Sequence, residues 1–487
     1  MKPDKDNQQL KRQLNPMHVW ALAFGCIIGW GSFVNPGKKF LPNSGVAGTA
    51  IAMILGALVM IVVAYSYAYM VPKYPKAGGE FTFTKECFGK NVAFICGWFL
   101  IAAYLTNVPM NSTAIGLIVD GLDGSADILK FGFHYTVAGF DIYLGEILLA
   151  TAVLVFFALL NVLGVKKAAV VQTMLSGLLV ISVFLLAVCA IVSSKAQGVN
   201  MQPIWGFDKA AAMAEGATNE NIMEFANGGS GGIISAILAT FAIAPWAYVG
   251  FDAIPQAAEE FKFSYKKVIG IMVIAILFGC FVYTTNNTVA AAVLENWPER
   301  VMAGEWVLLV AAEEMLGVFG KVLIGTAVSC AVLSGIMGFY LASSRLMYSM
   351  AKESYLPKVF SKIDKKYGTP KNAIVFCLIV SLSGPILGRE ALGWFVDMSA
   401  IGASMGFFFT SASALKKVRA DKERNVSLKF MSFLGMLFSL LFMILQLVPI
   451  PTLEGVHFGN ESYMMLFVWI ALGLIFYVAR DRMKDKG

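Results

Sequence analysis

Two apolar stretches of this sequence carry glycine and proline where a regular helix would otherwise continue. Residues 25–33 read GCIIGWGSF and are followed by Pro36. Residues 244–252 read APWAYVGFD and are followed by Pro255. Proline removes a backbone donor, and glycine costs a helix about 1 kcal/mol relative to alanine. A helix that breaks exposes N–H groups and C=O groups, which can bind a carboxylate and an ammonium group respectively.

The backbone groups of these two breaks would together suit a small zwitterion. If the first stretch unwinds, the N–H groups of Gly31, Ser32 and Phe33 open the outer half-helix and favour a carboxylate. Carbonyl groups at the end of the inner half-helix favour an ammonium group or a cation. An α-amino acid carries both charged groups a few bonds apart, so it matches this arrangement. The counterparts in the second stretch are Ala247, Tyr248 and Gly250.

Few polar side chains are predicted at the same depth as the breaks. Asp252 and Asp397 lie inside apolar runs, where an acid usually faces a pathway or a partner. We predict that Asp252 is a coupling or gating group. Tyr104, Asn107 and Asn111 share one helix face at positions i, i+3 and i+7. The two asparagines either tie helices together or contact the ligand.

Composition excludes most classes of soluble protein. Of the 487 residues 58% are apolar and 14% are charged, and the mean hydropathy is +0.70. A soluble protein would carry about a quarter charged residues, so an enzyme in solution, a disordered chain and a nucleic-acid binder are all excluded. The three histidines are isolated, and the seven cysteines show no C-x-x-C spacing. The sequence therefore predicts no disulfide framework, no metal site, no cofactor and no enzymatic activity.

The apolar residues form runs long enough to cross a membrane, which requires about 20 residues each. Thirty of the 38 Lys and Arg residues fall on one side of the alternating loops, so both termini are predicted to be cytoplasmic. No cleavable signal peptide is recognised. The twelve runs, called spans 1 to 12, lie near 17–41, 46–71, 92–119, 142–163, 168–193, 232–258, 267–292, 317–350, 371–388, 391–415, 429–449 and 462–480.

The two broken stretches fall in spans 1 and 6, each of which opens a set of five spans. Interrupted segments at corresponding places in two halves indicate the substrate site of a transporter. The sequence thus predicts two inverted five-helix repeats. The predicted segments are a cytoplasmic tail (1–16), the first repeat (17–193), an extracellular loop (194–231) that ends in a glycine-rich stretch, the second repeat (232–415), two peripheral helices (416–480) and a cytoplasmic tail (481–487).

Several motifs, in order along nearly the whole chain, resemble those of the amino acid–polyamine–organocation superfamily. The resemblance implies an all-α integral membrane protein with a LeuT-type fold of ten core helices plus two peripheral ones. It also implies alternating-access transport of amino acids or related amines across the plasma membrane. The motifs are Gly25-x-x-x-Gly29-x-Gly31, PKAGGEFT at 75–82, WAYVGFD at 246–252 with AEE at 258–260, SR at 344–345, TP at 369–370 and VDM at 396–398.

Carried over by position, the resemblance assigns roles to residues around the breaks. Gly29 and Gly31, with the neighbouring Ile28, Trp30 and Ser32, would meet the carboxylate and amine of the substrate. In span 6, the resemblance places an aromatic gate over the substrate at Trp246, and in span 8 Phe339 would frame the side-chain pocket. The residues expected to form cytoplasmic ion pairs at an inner gate are Lys73, Glu259, Glu260 and Arg345.

The coupling ion is left open by the sequence. Similar proton-linked or exchanging proteins place a lysine in span 5, where this chain has Leu179. Sodium-coupled proteins of this fold offer two adjacent hydroxyls in span 8, whereas here Ser334 is followed by Gly335. Half a sodium site remains, with Ser334 as the contact. A sodium symporter, a proton symporter driven by Asp252 and a pure exchanger all stay possible.

A carrier of an amino acid, with a neutral side chain, is the leading interpretation. The residues assigned to the lining are apolar, aromatic or amides, and span 3 offers no acid to a cationic side chain. An amine or polyamine carrier, for an ethanolamine- or putrescine-like substrate, is the alternative within transport. A substrate sensor with the fold of a transporter is the alternative outside it. The expected partners are the small-molecule substrate and the lipid bilayer, without nucleic acid.

Overall fold

The fold is taken from a computed structural model of the chain. The described residues are 10–123, 127–137, 139–207, 209–218, 221–222, 232–389, 391–450 and 457–484. Residues 1–9 of the predicted N-terminal tail lie outside them, as do residues 228–231 of the glycine-rich loop.

Nine helices among the described residues are long and apolar enough to cross a membrane. The first of them, Gly31–Lys73, contains the outer part of span 1 and the whole of span 2. These parts are separated at Gly45, whose φ of 62° interrupts the helix. The other eight are Lys90–Leu122, Leu144–Val162, Val165–Val192, Tyr265–Val293, Val318–Lys352, Ala391–Ala420, Val426–Leu447 and Asn460–Val478.

Spans 1, 6 and 9 are built from shorter pieces than the rest. The inner part of span 1 is Pro16–Ile27, and span 9 combines Lys371–Ser381 with Ser383–Leu387. Span 6 combines Ile233–Phe241 with Ala244–Tyr248 and two 3-10 turns.

The bounds of the individual elements are as follows. In chain order they are the helices Pro16–Ile27, Gly31–Asn35, Pro36–Phe40 (π), Leu41–Lys73, Gly79–Phe88 and Lys90–Asp123, the strands His134–Val137 and Phe140–Tyr143, and the helices Leu144–Val162, Val165–Val192, Gly198–Met201 (3-10), Lys209–Ala214, Ile233–Phe241, Ala244–Tyr248, Phe251–Ala253 (3-10), Pro255–Glu260 (3-10), Tyr265–Lys267 (3-10), Val268–Val293, Trp297–Met302, Val307–Leu316, Val318–Lys352, Lys358–Ser361 (3-10), Lys371–Ser381, Ser383–Leu387, Ala391–Ala420, Val426–Leu447 and Asn460–Lys484.

A small β-hairpin lies between spans 3 and 4. Strand His134–Val137 pairs in antiparallel register with Phe140–Tyr143. No strand was expected from the sequence pattern, and this hairpin is an addition to the helical architecture. Its residues HYTV and FDIY are rich in the aromatic and β-branched types that favour strands.

The centre of the molecule is formed by span 3, which packs against spans 8 and 10. Small residues allow these helices to approach closely. A Cβ atom at Gly402 of span 10 would lie 2.4 Å from the carbonyl oxygen of Phe99 in span 3. Span 3 is accordingly well buried and can position side chains toward the middle of the protein.

Span 12 lies at the periphery. The exposed fraction of Phe467 is 72%, and several neighbouring apolar side chains are similarly exposed. Two indoles join this helix to span 3: Trp98 Nε1 donates to the carbonyl of Trp469 at 2.9 Å, and Trp469 Nε1 donates to the carbonyl of Trp98 at 3.2 Å. Their rings stack with centroids 4.7 Å apart.

Candidate functional site

Span 1 is interrupted where the glycine pattern predicts it. The inner helix ends at Ile27, Ile28 is extended (φ −96°, ψ 105°), and helical structure resumes at Gly31. Both the backbone N–H and the hydroxyl of Ser32 donate to the carbonyl of Gly29, at 3.3 and 2.9 Å. These bonds turn the chain tightly at the break.

The break leaves three consecutive backbone donors available. Within the described residues, the N–H groups of Gly29, Trp30 and Gly31 donate to no backbone carbonyl. The expectation that the N–H groups of Ser32 and Phe33 are also free is wrong, because they donate to the carbonyls of Gly29 and Trp30 at 3.3 and 3.0 Å in the first turn of the outer helix. The carbonyl of Ser32, by contrast, accepts from Asn286 Nδ2 of span 7 at 2.9 Å. The unwound turn is thus held by its neighbours while its N–H groups stay free for a ligand.

Span 6 is interrupted twice, on either side of Ala244–Tyr248. The second interruption contains Gly250, whose φ is 135°. Residues other than glycine rarely adopt this backbone conformation. A Cβ atom at Gly250 would lie 2.6 Å from both Cys26 Cβ and the backbone nitrogen of Ile27. The two broken spans therefore touch backbone to backbone.

The indole of Trp246 rests directly on Gly31. A Cβ atom at Gly31 would lie 2.3 Å from Trp246 Cη2. The rings of Trp30 and Trp246 lie with centroids 6.3 Å apart, and both residues are buried. Both residues line a cavity of about 270 Å³, and Lys39 and Arg389 line it as well. Trp246 thus separates this cavity from the backbone of the span 1 break.

The structure brings Asn111 to the break and directs Asn107 elsewhere. Asn111 Oδ1 is buried without a hydrogen-bond partner and lies 3.3 Å from the Cβ position of Gly29. Asn107 Nδ2 donates to Ser399 Oγ at 2.7 Å and to the carbonyl of Ala103 at 2.6 Å. Asn107 therefore joins spans 3 and 10, while Asn111 offers an acceptor at the unwound turn.

Two further residues predicted in span 6 are buried beside the site with their polar groups engaged. The hydroxyl of Tyr248 donates to the carbonyl of Met53 in span 2 at 2.7 Å. The N–H of Ala247 donates to the carbonyl of Ile243 at 3.0 Å. These residues shape the turn through packing.

Phe339 and Ser334 of span 8 face different parts of the site. Phe339 is buried and stacks on Tyr104 with centroids 6.4 Å apart. Ser334 Oγ donates to the carbonyl of Gly25 at 3.2 Å, and Gln172 Nε2 of span 5 donates to the carbonyl of Ala21 at 3.1 Å. Ser334 and Gln172 thereby bind the inner half of span 1.

Asp252 joins the span 6 break to span 3. It is fully buried, and its Oδ1 accepts from the N–H of Gly250 at 2.6 Å. Its Oδ2 accepts from the hydroxyl of Tyr104 at 2.9 Å. The carboxyl group thus fixes both the turn at Gly250 and the position of span 3.

Glu80 is a buried acid to which the sequence analysis assigned no role. It lies on Gly79–Phe88, a helix between spans 2 and 3, and its carboxyl accepts from the hydroxyl of Tyr67 at 2.8 Å. The hydroxyl of Tyr104 lies 3.1 Å from the same oxygen. Burial, together with the charge of Asp252, raises the pKa of Glu80 above its usual range. The available signal was a lone acid within the otherwise uncharged run GGEFTF.

A buried ion pair joins the end of span 6 to the end of span 8. Arg345 Nε lies 2.8 Å from Glu260 Oε1, and both side chains are 1% exposed. The backbone N–H groups of Gln13 and Leu14 donate to the carbonyl of Glu260 at 2.8 and 2.9 Å. The segment before span 1 therefore lies across this end of span 6.

Lys73 forms a different contact from the one expected. It pairs with Asp421 at 2.7 Å and with Glu423 at 3.1 Å, both in the loop after span 10. The expectation that Lys73 joins the gate with Glu259 and Glu260 is wrong, because the end of span 2 lies beside that loop. Hydrogen bonds from Lys73 and Lys417 lower the pKa of Asp421 to about 2.

Asp397 accepts from the hydroxyl of Ser462 at 2.6 Å. This bond joins span 10 to the start of span 12 and gives Asp397 a structural contact. Arg389, which lines the cavity above Trp246, pairs with Asp120 and, at 2.6 Å, with Glu146.

A bundle of apolar helices with two broken spans and an enclosed polar turn defines a multi-pass membrane protein with the features of a permease. The family described as amino acid permease matches residues 14–476. The chain belongs to this family and, through it, to the amino acid–polyamine–organocation superfamily, as its motifs predicted. Members are transporters and not enzymes.

Individual relatives carry related names at moderate identity. The chain is 26% identical to the branched-chain amino acid permease BcaP of Bacillus subtilis, over 98% of this chain and 95% of that protein. It is 28% identical to the large neutral amino acids transporter small subunit 2 of Homo sapiens, over 77% of this chain. It is 25% identical to the vacuolar cationic amino acid transporter 2 of Arabidopsis thaliana, over 84% of this chain. The matches cover 64% of the human protein and 60% of the plant protein, less than two thirds of each.

Proposed function

We propose that this chain is a secondary active transporter that moves an amino acid with a neutral side chain across the plasma membrane by alternating access. In this proposal twelve spans cross the membrane with both termini in the cytoplasm. Spans 1–5 and 6–10 form the two inverted repeats of a LeuT-type fold, and spans 11 and 12 are peripheral. Transport proceeds as symport or exchange.

The observation that supports this proposal is the unwound turn of span 1 beneath Trp246. The N–H groups of Gly29, Trp30 and Gly31 suit the carboxylate of an amino acid, and the unpaired Asn111 Oδ1 suits its ammonium group. Both sets of groups converge on one turn. A ligand with only one of the two charges would leave part of this set unpaired, which is unfavourable in a buried site.

A neutral side chain fits the apolar and aromatic groups around the turn. Trp30, Trp246 and Phe339 are buried. The two carboxyl oxygens of Asp252 already accept hydrogen bonds from the N–H of Gly250 and the hydroxyl of Tyr104. A cationic side chain would therefore lack a free carboxylate partner. The names of the relatives from B. subtilis and human point to the same class, whereas the plant relative is named for cationic substrates.

Binding requires the indole of Trp246 to move, because it covers Gly31 at contact distance. A substrate arriving through the 270 Å³ cavity would displace the ring and then lie beneath it. The Glu260–Arg345 pair holds the opposite end of spans 6 and 8 closed. Opening this pair after the indole has closed over the substrate would release the substrate to the cytoplasm.

Proteoliposomes containing the purified full-length chain provide the test. Neutral amino acids should compete with the counterflow of labelled leucine, and the decarboxylated analogue isoamylamine should compete at least about tenfold more weakly than they do. Stronger competition by the amine would contradict the carboxylate role and favour the amine carrier. Saturable leucine binding without counterflow would favour the sensor. Sodium and pH gradients imposed separately distinguish symport from exchange.

A further inference from the structure

Two buried carboxyl groups from distant parts of the chain meet at one tyrosine. The hydroxyl oxygen of Tyr104 lies 3.1 Å from Glu80 Oε1 and 2.9 Å from Asp252 Oδ2, and also 3.1 Å from the backbone carbonyl oxygen of Asp252. Tyr67 donates to Glu80 Oε1 at 2.8 Å, and Gln256 Nε2 donates to Glu80 Oε2 at 2.6 Å. We call Glu80, Tyr104 and Asp252 the carboxyl cluster. Both of its acids are fully buried.

The number of protons in this cluster does not match the number of close oxygen contacts. Tyr104 has one hydroxyl proton, and it can donate to Glu80 or to Asp252 but not to both. With both acids ionised, one of the contacts at 2.9 and 3.1 Å would bring a carboxylate oxygen against an oxygen lone pair. One added proton changes that contact into a hydrogen bond. One proton shared by the two acids therefore satisfies both contacts between Tyr104 and the carboxyl oxygens.

In the part of the chain that the structure describes, neither acid is paired with a cation. Among the described residues, no lysine, arginine or histidine forms an ion pair with Glu80 or Asp252. Arg345, on span 8, is paired with Glu260, so these two charges balance each other. The other titratable groups that act on the cluster are Cys26 of span 1, Tyr67 of span 2 and Cys96 of span 3, all uncharged when protonated.

We propose that Glu80 and Asp252 bind one exchangeable proton through Tyr104, and that this proton is the coupling ion. The proposal deepens the proposed transport function and rests on it. In the loaded state the Glu80 O–H donates to Tyr104 and the Tyr104 O–H donates to Asp252, with a net charge of −1. Moving both protons one step along the chain transfers the extra proton to Asp252. Release to water leaves two carboxylates and a net charge of −2.

The position of the cluster connects this proton to the substrate site. Asp252 accepts from the N–H of Gly250, in the turn of span 6 that touches span 1. At the other end, Glu80 lies on the helix that also provides Phe81 and Thr82 to a cytoplasmic cavity of about 560 Å³. The proton can thus be exchanged on the cytoplasmic side while its charge acts on the break of span 6. Loss of the proton would alter the hydrogen bonds that hold this turn.

The test compares driven and undriven transport in proteoliposomes. A pH gradient of one unit should accumulate leucine up to about tenfold at one proton per substrate, and substrate addition should change the fluorescence of entrapped pyranine. Glu80→Gln should reduce accumulation to the undriven level and remove the pyranine signal, while leucine counterflow without a gradient persists. Full accumulation and an unchanged pyranine signal in Glu80→Gln would overturn the proposal.

A matched control and a second variant keep the result decisive. Glu86 lies exposed on the same helix, and Glu86→Gln should accumulate leucine like the unmodified chain. If Glu80→Gln does not fold, Tyr104→Phe retains both acids and removes the bridge between them. It should also uncouple transport from the pH gradient, and normal coupling in it would equally overturn the proposal.

A measurement without transport separates this inference from the proposed function. Because folding raises the pKa of Glu80, protonation of this side chain stabilises the folded protein. Unfolding temperature should fall as pH rises from about 4.3, the ordinary pKa of glutamate, through the raised value. Glu80→Gln should remove that slope and Glu86→Gln should retain it. If leucine counterflow is absent but the unfolding temperature still depends on pH through Glu80, the proposed function alone is contradicted. If the dependence of unfolding temperature on pH is unchanged in Glu80→Gln, the proton site is contradicted.

Discussion

At the scale of single residues, Gly31 has no room for a side chain. The Cη2 atom of Trp246 lies 2.3 Å from the position that a Cβ atom would take. Trp246 is itself held by its neighbours in the buried floor of the cavity, including Trp30. Any larger residue at position 31 would therefore displace the indole and cover the backbone N–H groups of the turn.

Gly31→Leu should consequently abolish substrate binding while the protein still inserts and folds. We expect the affinity for leucine, measured by equilibrium binding to detergent-purified protein, to fall by more than about a hundredfold, equivalent to roughly 2.7 kcal/mol. Gly270→Leu is the matched control, because Gly270 is exposed on span 7 and has no atom within 4 Å of its Cβ position. Normal affinity in Gly31→Leu would refute a substrate site at the unwound turn.

Residue types allowed the breaks to be predicted but not the partners around them. Gly29, Gly31 and Gly250 show in the sequence that the helix pattern fails. Whether Asn107 or Asn111 faces the break depends on the rotation of span 3, which a shared helix face does not determine. Glu80 and Asp252, which meet at the hydroxyl of Tyr104, are 172 positions apart, and no local pattern encodes such a pairing.

At the scale of elements, the buried pair Glu260–Arg345 fastens span 6 to span 8. Both partners are 1% exposed, and their N–O distance is 2.8 Å. Two charges removed from water stabilise each other only as a pair, and removal of one partner leaves an uncompensated buried charge. At the same end of span 6, the backbone carbonyl of Glu260 also accepts hydrogen bonds from the N–H groups of Gln13 and Leu14. The closure thus depends on three segments at once.

Arg345→Met should destabilise the protein by about 3–5 kcal/mol, because Glu260 would remain buried without its partner. Replacing both residues, as Arg345→Met with Glu260→Leu, should recover most of that loss. Reversible unfolding in mixed micelles measures the free energy. Arg300→Met, which removes partly exposed pairs with Glu305 and Glu314, should cost less than about 1 kcal/mol. Equal losses for Arg300 and Arg345 would mean that burial of the pair carries no energetic weight.

Some elements were less visible in the sequence than others. The long spans follow from continuous apolar runs, which is why nine of them reappear as single helices in the described residues. The hairpin formed by 134–137 and 140–143 was missed because each strand has only four residues, in the short connection between spans 3 and 4. The role of Lys73 was misassigned because the loop around Asp421 is distant in sequence and adjacent in space.

At the scale of the whole molecule, the distribution of basic residues specifies an orientation. Thirty of 38 Lys and Arg residues lie on the side that we assign to the cytoplasm. The Glu260–Arg345 closure and the carboxyl cluster lie toward that side. The cavity above Trp246, with Lys39 and Arg389, lies toward the other side. The proposal that substrate enters through the cavity above Trp246 from outside the cell therefore depends on this assignment of the cytoplasmic side.

Cysteine labelling of intact cells checks this orientation. In a variant without the native cysteines, Lys130→Cys should react with a membrane-impermeant maleimide added outside. Lys365→Cys should react only after the membrane has been permeabilised, since residue 365 lies in the basic connection between spans 8 and 9. The reverse pattern would place the termini outside and invert the proposed access route.

The attachment of span 12 through two reciprocal indole–carbonyl bonds has a practical consequence for handling the protein. Because Phe467 and its neighbours project away from the bundle, acyl chains of lipid supply most of their surroundings. Short-chain detergents replace those acyl chains poorly, so we expect span 12 to detach during solubilisation before the other spans unfold. The stacked Trp98 and Trp469 rings are two of the nine tryptophans of the chain, so a change in intrinsic fluorescence that Trp469→Phe abolishes would report the loss of this contact during purification.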